Sequence, residues 1–409
     1  MKKGSPSKAA RLKEAAISNQ KWVGVVVLLV AAVAIPLCAQ QSKIYREGSA
    51  WVEEVTGTLP AGRELRVVTD LGSIQVEGSS PQVSYVIRKR AFAPTEDAAR
   101  RQFDHFHTTA TRMADRDTIE GHMLGSFNRF NVEFLVQVPR DLALVKLETH
   151  GGALTLSSLN GTVLGTTGGG AVKLDKLDGP VKITSAGGSL EGGNLGGDFT
   201  LSSGGGDVHI DNIRGQAHVS LGGGQVYIGT VKGATVDIGG GNIEVRKCDG
   251  DLRASTGGGN LYFGDVAGSL RANTQGGGVR LASAQGPVQV TTSGGGVELY
   301  NLNQSAQVDT GAGPITAQFV NARGFSESSL RTSSGNVTVF MPGDLPVTVH
   351  AASEMAQGDG ILSEFPALKI TSTSKYCPKA MYAEGALNGG GPVLRVRTSI
   401  GQIAFRRSH

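Results

Sequence analysis

The sequence predicts an all-β fold, a parallel β-helix (β-solenoid) of 18-residue coils, on three observations. The first is an internal repeat. With Gly204 as position 1, equivalent positions fall at His150, Gly168, Ala186, Gly204, Gly222, Gly239, Gly257, Gln275 and Ser293, and Gly311 opens a degenerate tenth. The spacing is 18 residues except in the 17-residue unit Gly222 to Ile238, and a fixed period of this length is the signature of a solenoid or array. The second is strict apolar alternation in two short runs per unit, the period of a strand with one face inward. The third is composition: 60 of 409 residues are Gly and only 14 are Pro, and the Gly recurs among Val, Leu and Ile between residues 150 and 315, which a flexible linker would lack.

The columns define the coil. Position 5 reads Leu154, Val172, Leu190, Val208, Val226, Ile243, Leu261, Val279, Val297, and position 10 reads Leu159, Leu177, Leu195, Ile213, Val231, Cys248, Val266, Ala284, Leu302. Position 7 is apolar throughout except Gly192, and positions 14 and 16 are mostly apolar, as in Val288 and Val290. Positions 6 and 15 vary freely, which places them outside. Position 12 is Gly from Gly161 to Gly286 before giving way to Gln304. Gly at the two bends fits corners that turn within one or two residues and stack on one another, where a Cβ would meet its neighbour. A unit this small cannot bury its apolar face alone, so successive coils stack into a shared core. At a strand spacing of about 4.8 Å, nine coils make a rod of roughly 43 Å.

Four regions follow: a tail with targeting segment (1–39), an N-terminal β-rich capping region (43–149), the repeats (150–332) and a C-terminal β-rich cap (333–409). The N-terminal region carries strand-like runs at Glu64–Thr69, Ser73–Glu77, Gln82–Phe92 and Phe130–Val138. Between them Ala99, Phe103, Phe106, Ala110 and Met113 recur at helical spacing behind Glu96 and Asp97. This predicts one short helix over residues 95–114, expected to pack on the first coil. The C-terminal region has further strand runs at Asn336–Phe340, Val393–Arg397 and Gln402–Arg406.

The N-terminus reads as an export signal. Six basic residues precede the apolar run Trp22 to Leu37, in which Trp22, Val26, Leu29, Val33 and Leu37 mark a membrane segment. The segment is either a signal cleaved after Ala39 or a retained anchor. Lipidation of Cys38 is disfavoured because Leu37 stands where a small residue is needed. Outside the first 21 residues the chain holds 33 basic and 34 acidic residues, so the exported part is near neutral and nucleic acid is excluded as a partner. Three cysteines are too few for a disulfide framework. Cys248 falls in an inward column, so a bridge to Cys377 is not expected.

Catalytic and metal chemistry finds little support. No Lys-Ser or Lys-Thr follows any Gly triplet, which excludes a phosphate loop. Position 4 carries a single Asp, Asp207, in nine units, so the Asp ladder of a calcium roll is missing. Asp207, Asp211, Glu244, Asp249 and Asp251 read as solvated charges without loops to wall a groove. His105 and His107 lie two apart on the predicted helix and point apart, and His122 adds no pattern. The Thr-rich positions 17 and 18 would resemble an ice-binding ladder but for Leu221, Asp237 and Asp309. Tyr227, Tyr262 and Tyr300, with Arg253 and Arg271 one coil apart, form a candidate surface contact strip.

The segments GSIQVEG (Gly72–Gly78), FLVQVPRDLALVKLETHGGALTLSSLNG (Phe134–Gly161), SSGNVTVFMPGD (Ser333–Asp344) and GPVLRVRTSIGQIAF (Gly391–Phe405), with the Gly-rich units, resemble a bacterial adhesin-like family with a domain of unknown function (DUF4097-type), related to the head domains of autotransporter adhesins. The resemblance spans roughly residues 45–407. It implies a β-helix and a surface role, and it brings no catalytic residues. The expectation is an exported cell-envelope module, periplasmic or at the cell surface, that is not an enzyme, needs no cofactor or metal, and contacts an envelope protein or glycan. It touches the membrane through the N-terminal segment if that is uncleaved. The competing expectations are a carbohydrate-active β-helix enzyme and an envelope-sensing scaffold held by the same segment.

Overall fold

The computed structural model describes residues 40–125, 130–321, 323–356, 359–373 and 379–408. The expected membrane segment, Cys38 and Cys377 lie outside them. Each coil contributes two strands. Those at positions 5–10 stack in parallel as sheet I, and those at positions 14–18 stack as sheet II. The register is the one the columns demand: Leu154 pairs with Val172, Val172 with Leu190, Leu190 with Val208, and the ladder continues to Val297 and Ile315. A slip of one residue would turn every apolar side chain outward, so the buried face fixes this register. The 17-residue unit loses its residue at a bend. Ile213 pairs with Val231 but Gln216 with Gly233, and both flanking ladders stay in phase.

The corners explain columns 3 and 18. A Cβ on Gly259, at position 3, would lie 1.8 Å from the carbonyl oxygen of Gly241, whereas one on Gly258, at position 2, would meet nothing within 4 Å. Position 18 faces inward and is Thr in most coils. Thr274 Oγ1 donates to the Gly259 carbonyl at 2.9 Å and accepts from the Gly277 amide at 3.2 Å, so one hydroxyl joins position 3 of successive coils. Thr149, Thr167, Thr256 and Thr292 do the same. Where column 18 reads Ser185, Ser203, Leu221 and Ile238, no hydroxyl joins the coils in this way. There the following glycines, Gly188, Gly206, Gly224 and Gly241, take φ of +93°, +104°, +121° and +115°. From Thr149 to Thr292 the corners thus fall into two types that follow the residue at position 18; beyond them Gly313 takes φ +141° although Thr310 Oγ1 still donates to the Gly295 carbonyl.

Both ends are closed by chain that doubles back. Strands Glu64–Thr69 and Ser73–Gly78 form a coil under Leu144–Thr149 and Leu154–Leu159, and Arg116–Met123 with Phe130–Val138 stack beneath it in turn. Antiparallel strands Val83–Ala91, Ala50–Leu59 and Gln41–Glu47 then finish sheet I, and Phe106–Met113 finishes sheet II. At the other end Val393–Ile400 slots between Ser328–Ser334 and Val347–Ala356 before Lys379–Leu387 and Lys369–Ser372 complete sheet II antiparallel. The outermost strands therefore differ from the repeats, which guards the edges against further pairing.

The expected helix over 95–114 is corrected. Helix α1 spans Glu96–Phe103, capped by the Thr95 side chain, and Phe106–Met113 is a strand paired antiparallel with Arg116–Met123. The Thr108, Thr109 and Thr111 run favours a strand over a helix, and Ala114 at φ +54° turns the hairpin. Met113, expected on the apolar face, is exposed. The helix does bury Ala99 and Phe103, but in a cluster with Ala91, Ala93, Trp51 and Phe130 of the antiparallel cap and not on the first coil.

Asp117 is an inward position that breaks the apolar pattern. Asp117 pairs with Leu65 in the column continued by Val145 and Val163, and it is fully buried. Its Oδ2 accepts the Gly62 amide at 2.8 Å, and Arg112 stands 3.9 Å from Oδ1. Burial pushes its carboxyl above the ordinary range, against smaller opposing effects of the Gly62 hydrogen bond and Arg112. A raised carboxyl binds its proton more tightly in the folded chain, so its stabilising contribution is full below the unfolded pKa and is lost as pH rises through the folded one. Asp117→Asn is therefore expected to unfold at a higher temperature than the parent at pH 7, with the difference vanishing near pH 3. Equal midpoints at pH 7 would contradict this. In the corner, Gly259→Ala should lower the thermal midpoint clearly, whereas Gly258→Ala should change stability by no more than about 0.5 kcal/mol.

Candidate interaction faces

Repetition gives each outward column one side chain per coil. On sheet I, position 6 reads Thr155, Lys173, Glu191, His209, Tyr227, Glu244, Tyr262, Arg280, Glu298, and position 8 reads Ser157, Asp175, Gly193, Asp211, Gly229, Arg246, Gly264, Ala282, Tyr300. Tyr227 and Tyr262 each have a Gly two residues on, which leaves space beside the ring. The His209 imidazole stacks on Tyr227 with centroids 4.4 Å apart and planes 7° apart. Tyr262 is 41% exposed. Beside it the side-chain-free Gly278 and Gly296 floor a groove of about 220 Å³ walled by Tyr262, Arg280 and Glu298. Tyr300 approaches Glu298 at 3.4 Å.

A larger groove, about 360 Å³, lies lower on sheet I and gathers Asp175, Glu191 and Asp211 around the bare Gly193, with Lys173 and His209. Each carboxylate has a nitrogen partner nearby: Glu191 the Lys173 ammonium at 2.9 Å, Asp211 the His209 ring at 3.2 Å, and Asp175 the Lys176 ammonium at 3.6 Å. Asp207 and Asp251, by contrast, serve the corners. Their carboxylates accept the Gln225 amide and the Ser269 amide and hydroxyl one coil on. Those Ser269 bonds hold the Asp251 carboxyl below its ordinary range. Asp249 pairs with Lys247 at 3.0 Å, and Glu244 lies between two tyrosine coils, near the Arg246 guanidinium.

Arg253 and Arg271 sit on the opposite sheet. They face one another across adjacent strands of sheet II at position 15, and line a groove of about 240 Å³ with Ser255, Asn273, Gln289 and Thr291. The tyrosines and arginines therefore form no single strip. Positions 6 and 15 belong to sheets that share one core and turn their polar sides apart.

Cys248 is a free thiol buried in column 10, and burial pushes its pKa up. The histidines gather where the sequence gave no sign. His107 lies opposite His122 across the hairpin, His122 Nδ1 is 3.3 Å from Asp70, and His150 reaches the other Asp70 oxygen at 3.6 Å. Asp70 and His150 were invisible as partners because strands 52 to 80 residues apart in sequence meet there. Among the described residues no group of three or more His, Cys, Asp or Glu could hold a metal ion, and no helix is long and apolar enough to cross a membrane.

Fold and faces together define the class: a two-sheet β-solenoid with uninterrupted coils and polar outer columns. The chain belongs to the Toastrack DUF4097 family, whose model matches residues 107–375. Solved structures similar to it include a candidate cell adhesion protein from Clostridium sporogenes, 10% identical, with 87% of this chain and 100% of that one covered at a TM-score of 0.17. Two candidate adhesins are also similar. That from Parabacteroides distasonis is 10% identical over 71% of this chain and 96% of its own, with a TM-score of 0.23. That from Parabacteroides merdae is 12% identical over 71% and 89%, with a TM-score of 0.22. No curated protein matches the chain.

Proposed function

We propose that this chain is an exported, non-catalytic, adhesin-like interaction module of the cell envelope, which engages an envelope protein or glycan by repeated contacts along a stiff face. The observation that carries this reading is the unbroken register of outward columns. From Leu154 to Val308 no coil carries an insertion, so side chains are presented at a fixed spacing of about 4.8 Å. Rigid presentation lowers the ordering cost of binding, and repetition multiplies weak contacts. The exposed Tyr262 and the ring pair His209–Tyr227 are the residues on sheet I best suited to contact a sugar or an apolar side chain. Export and the envelope location rest on the N-terminal signal, which either anchors the module or is removed.

A second reading has one specific observation behind it. Asp175, Glu191 and Asp211 share a groove, and paired carboxylates are the machinery of glycoside cleavage. One experiment separates the two. Beads coated with the full chain are tested for adherence to envelope preparations and to a glycan array, with release of reducing sugar measured in parallel. Adherence that falls at least about tenfold in Tyr227→Ala/Tyr262→Ala, and is unchanged with no sugar release in Asp175→Asn/Asp211→Asn and parent, supports the module. Sugar release that is lost in the Asp double variant supports the enzyme instead.

A further inference from the structure

Sheet II carries a second face, polar from Arg253 to Arg331. Beyond Arg253 and Arg271 at position 15, the same sheet brings Arg331 opposite Arg397 at position 17. All four guanidiniums are exposed, and none has an ion-pair or hydrogen-bond partner among the described residues. Arg395, one position 15 neighbour, is by contrast engaged by Glu327. Like charges directly opposite on adjacent strands destabilise a sheet, so each arginine pair costs the fold something and returns no internal contact.

The surface between the two pairs is as distinctive. Three strand spacings separate Arg271 from Arg331, and the interval is filled by exposed Asn273, Gln289, Thr291 and Gln307. With the two-residue offset the pairs stand roughly 16 Å apart along an oblique track. Of the carboxylates on this part of the sheet, Glu327 is taken by Arg395, and Asp237 and Asp309, the latter opposite Arg331 in register, do not come within ion-pair distance of the four arginines. Guanidinium forks bind carboxylates in two-point fashion, and amides and hydroxyls bind sugar hydroxyls. No exposed aromatic or large apolar side chain interrupts the track between Arg253 and Arg331, which disfavours a bilayer and stacked nucleic-acid bases.

We infer that the sheet II face from Arg253 to Arg397 binds a linear acidic polysaccharide of the polyuronate class, with the two arginine pairs on carboxylates and the amide and hydroxyl columns on the hydroxyls between them. The inference rests on the adhesive reading above and names its partner. Sugar residues of an extended polyuronate repeat at close to the strand spacing, so successive carboxylates meet successive coils.

The test measures binding of the full chain to immobilised polygalacturonate, with neutral dextran and anionic phospholipid vesicles as parallel surfaces. Binding to polygalacturonate that weakens with salt, is absent on dextran, and falls about tenfold in Arg253→Gln/Arg271→Gln and again in Arg331→Gln/Arg397→Gln supports the proposal. Lys232→Gln/Lys247→Gln, which removes equal charge elsewhere, should leave it unchanged. Circular dichroism checks that each variant is folded, and Arg→Lys at the same four positions should retain partial binding. No binding to polygalacturonate, equal loss in the Lys232/Lys247 control, or preference for the vesicles would overturn it. If polygalacturonate fails while coated beads still adhere to envelope preparations, the adhesive reading stands without this partner. If both fail, that reading falls too.

Discussion

Everything in this molecule depends on stacking one corner directly on the next. The position-3 carbonyl of each coil lies under the backbone of the following coil, at distances a side chain would fill: 2.0 Å for a Cβ on Gly170, 1.8 Å on Gly259 and 1.9 Å on Gly295. Glycine there is a condition of closure. With the corners in contact, the strands between them sit at the hydrogen-bonding distance, and the inward columns meet as a continuous core. The Thr hydroxyl at position 18 adds a buried bond on each side of the corner, in a place where an unmet carbonyl or amide would cost about 1–3 kcal/mol. Where column 18 carries no such hydroxyl, the chain keeps its turn by a left-handed glycine.

The same constraint shapes the surface. A solenoid whose coils carry no insertion from Leu154 to Val308 varies there in its outward columns, and two sheets sharing one core must face opposite ways. The molecule therefore has two independent faces. Sheet I carries rings, bare glycines and paired charges, and sheet II carries amides, hydroxyls and, at Arg253, Arg271, Arg331 and Arg397, guanidiniums without counter-ions among the described residues. A ligand on one face would leave the other open.

Much of this was legible in the residues. Spacing alone located the corners, the inward columns and Cys248 in the core, because one face of each strand must be apolar and the period is exact to a residue. The column assignment also held the information that Tyr262 and Arg253 lie on different sheets, although spacing along the rod made them look like neighbours. The ends were less legible. Phe103, Phe106, Ala110 and Met113 mimic a helical stripe, and only the pairing with Arg116–Met123 reveals that 106–113 is a strand. That pairing depends on a chain that leaves the stack after Gly78 and returns beneath it, a long-range event with no local signal. The Thr of column 18 was visible as a recurrent residue broken by Leu221, but a hydroxyl gives no hint that its bond partner is a corner carbonyl 15 residues back. Asp70 with His122 and His150 was hidden for the same reason as the cap.

The central claim is that corner contacts, through column 18, hold successive coils in place. It is tested most directly by amide hydrogen exchange in Thr274→Val/Thr292→Val, which removes two hydroxyls at nearly constant volume. The account predicts faster exchange at the Gly277 and Gly295 amides, which lose their acceptors, together with a lower thermal midpoint and unchanged protection at Val208 and Val226 several coils away. Unaltered exchange at Gly277 and Gly295 with an unaltered midpoint would contradict it.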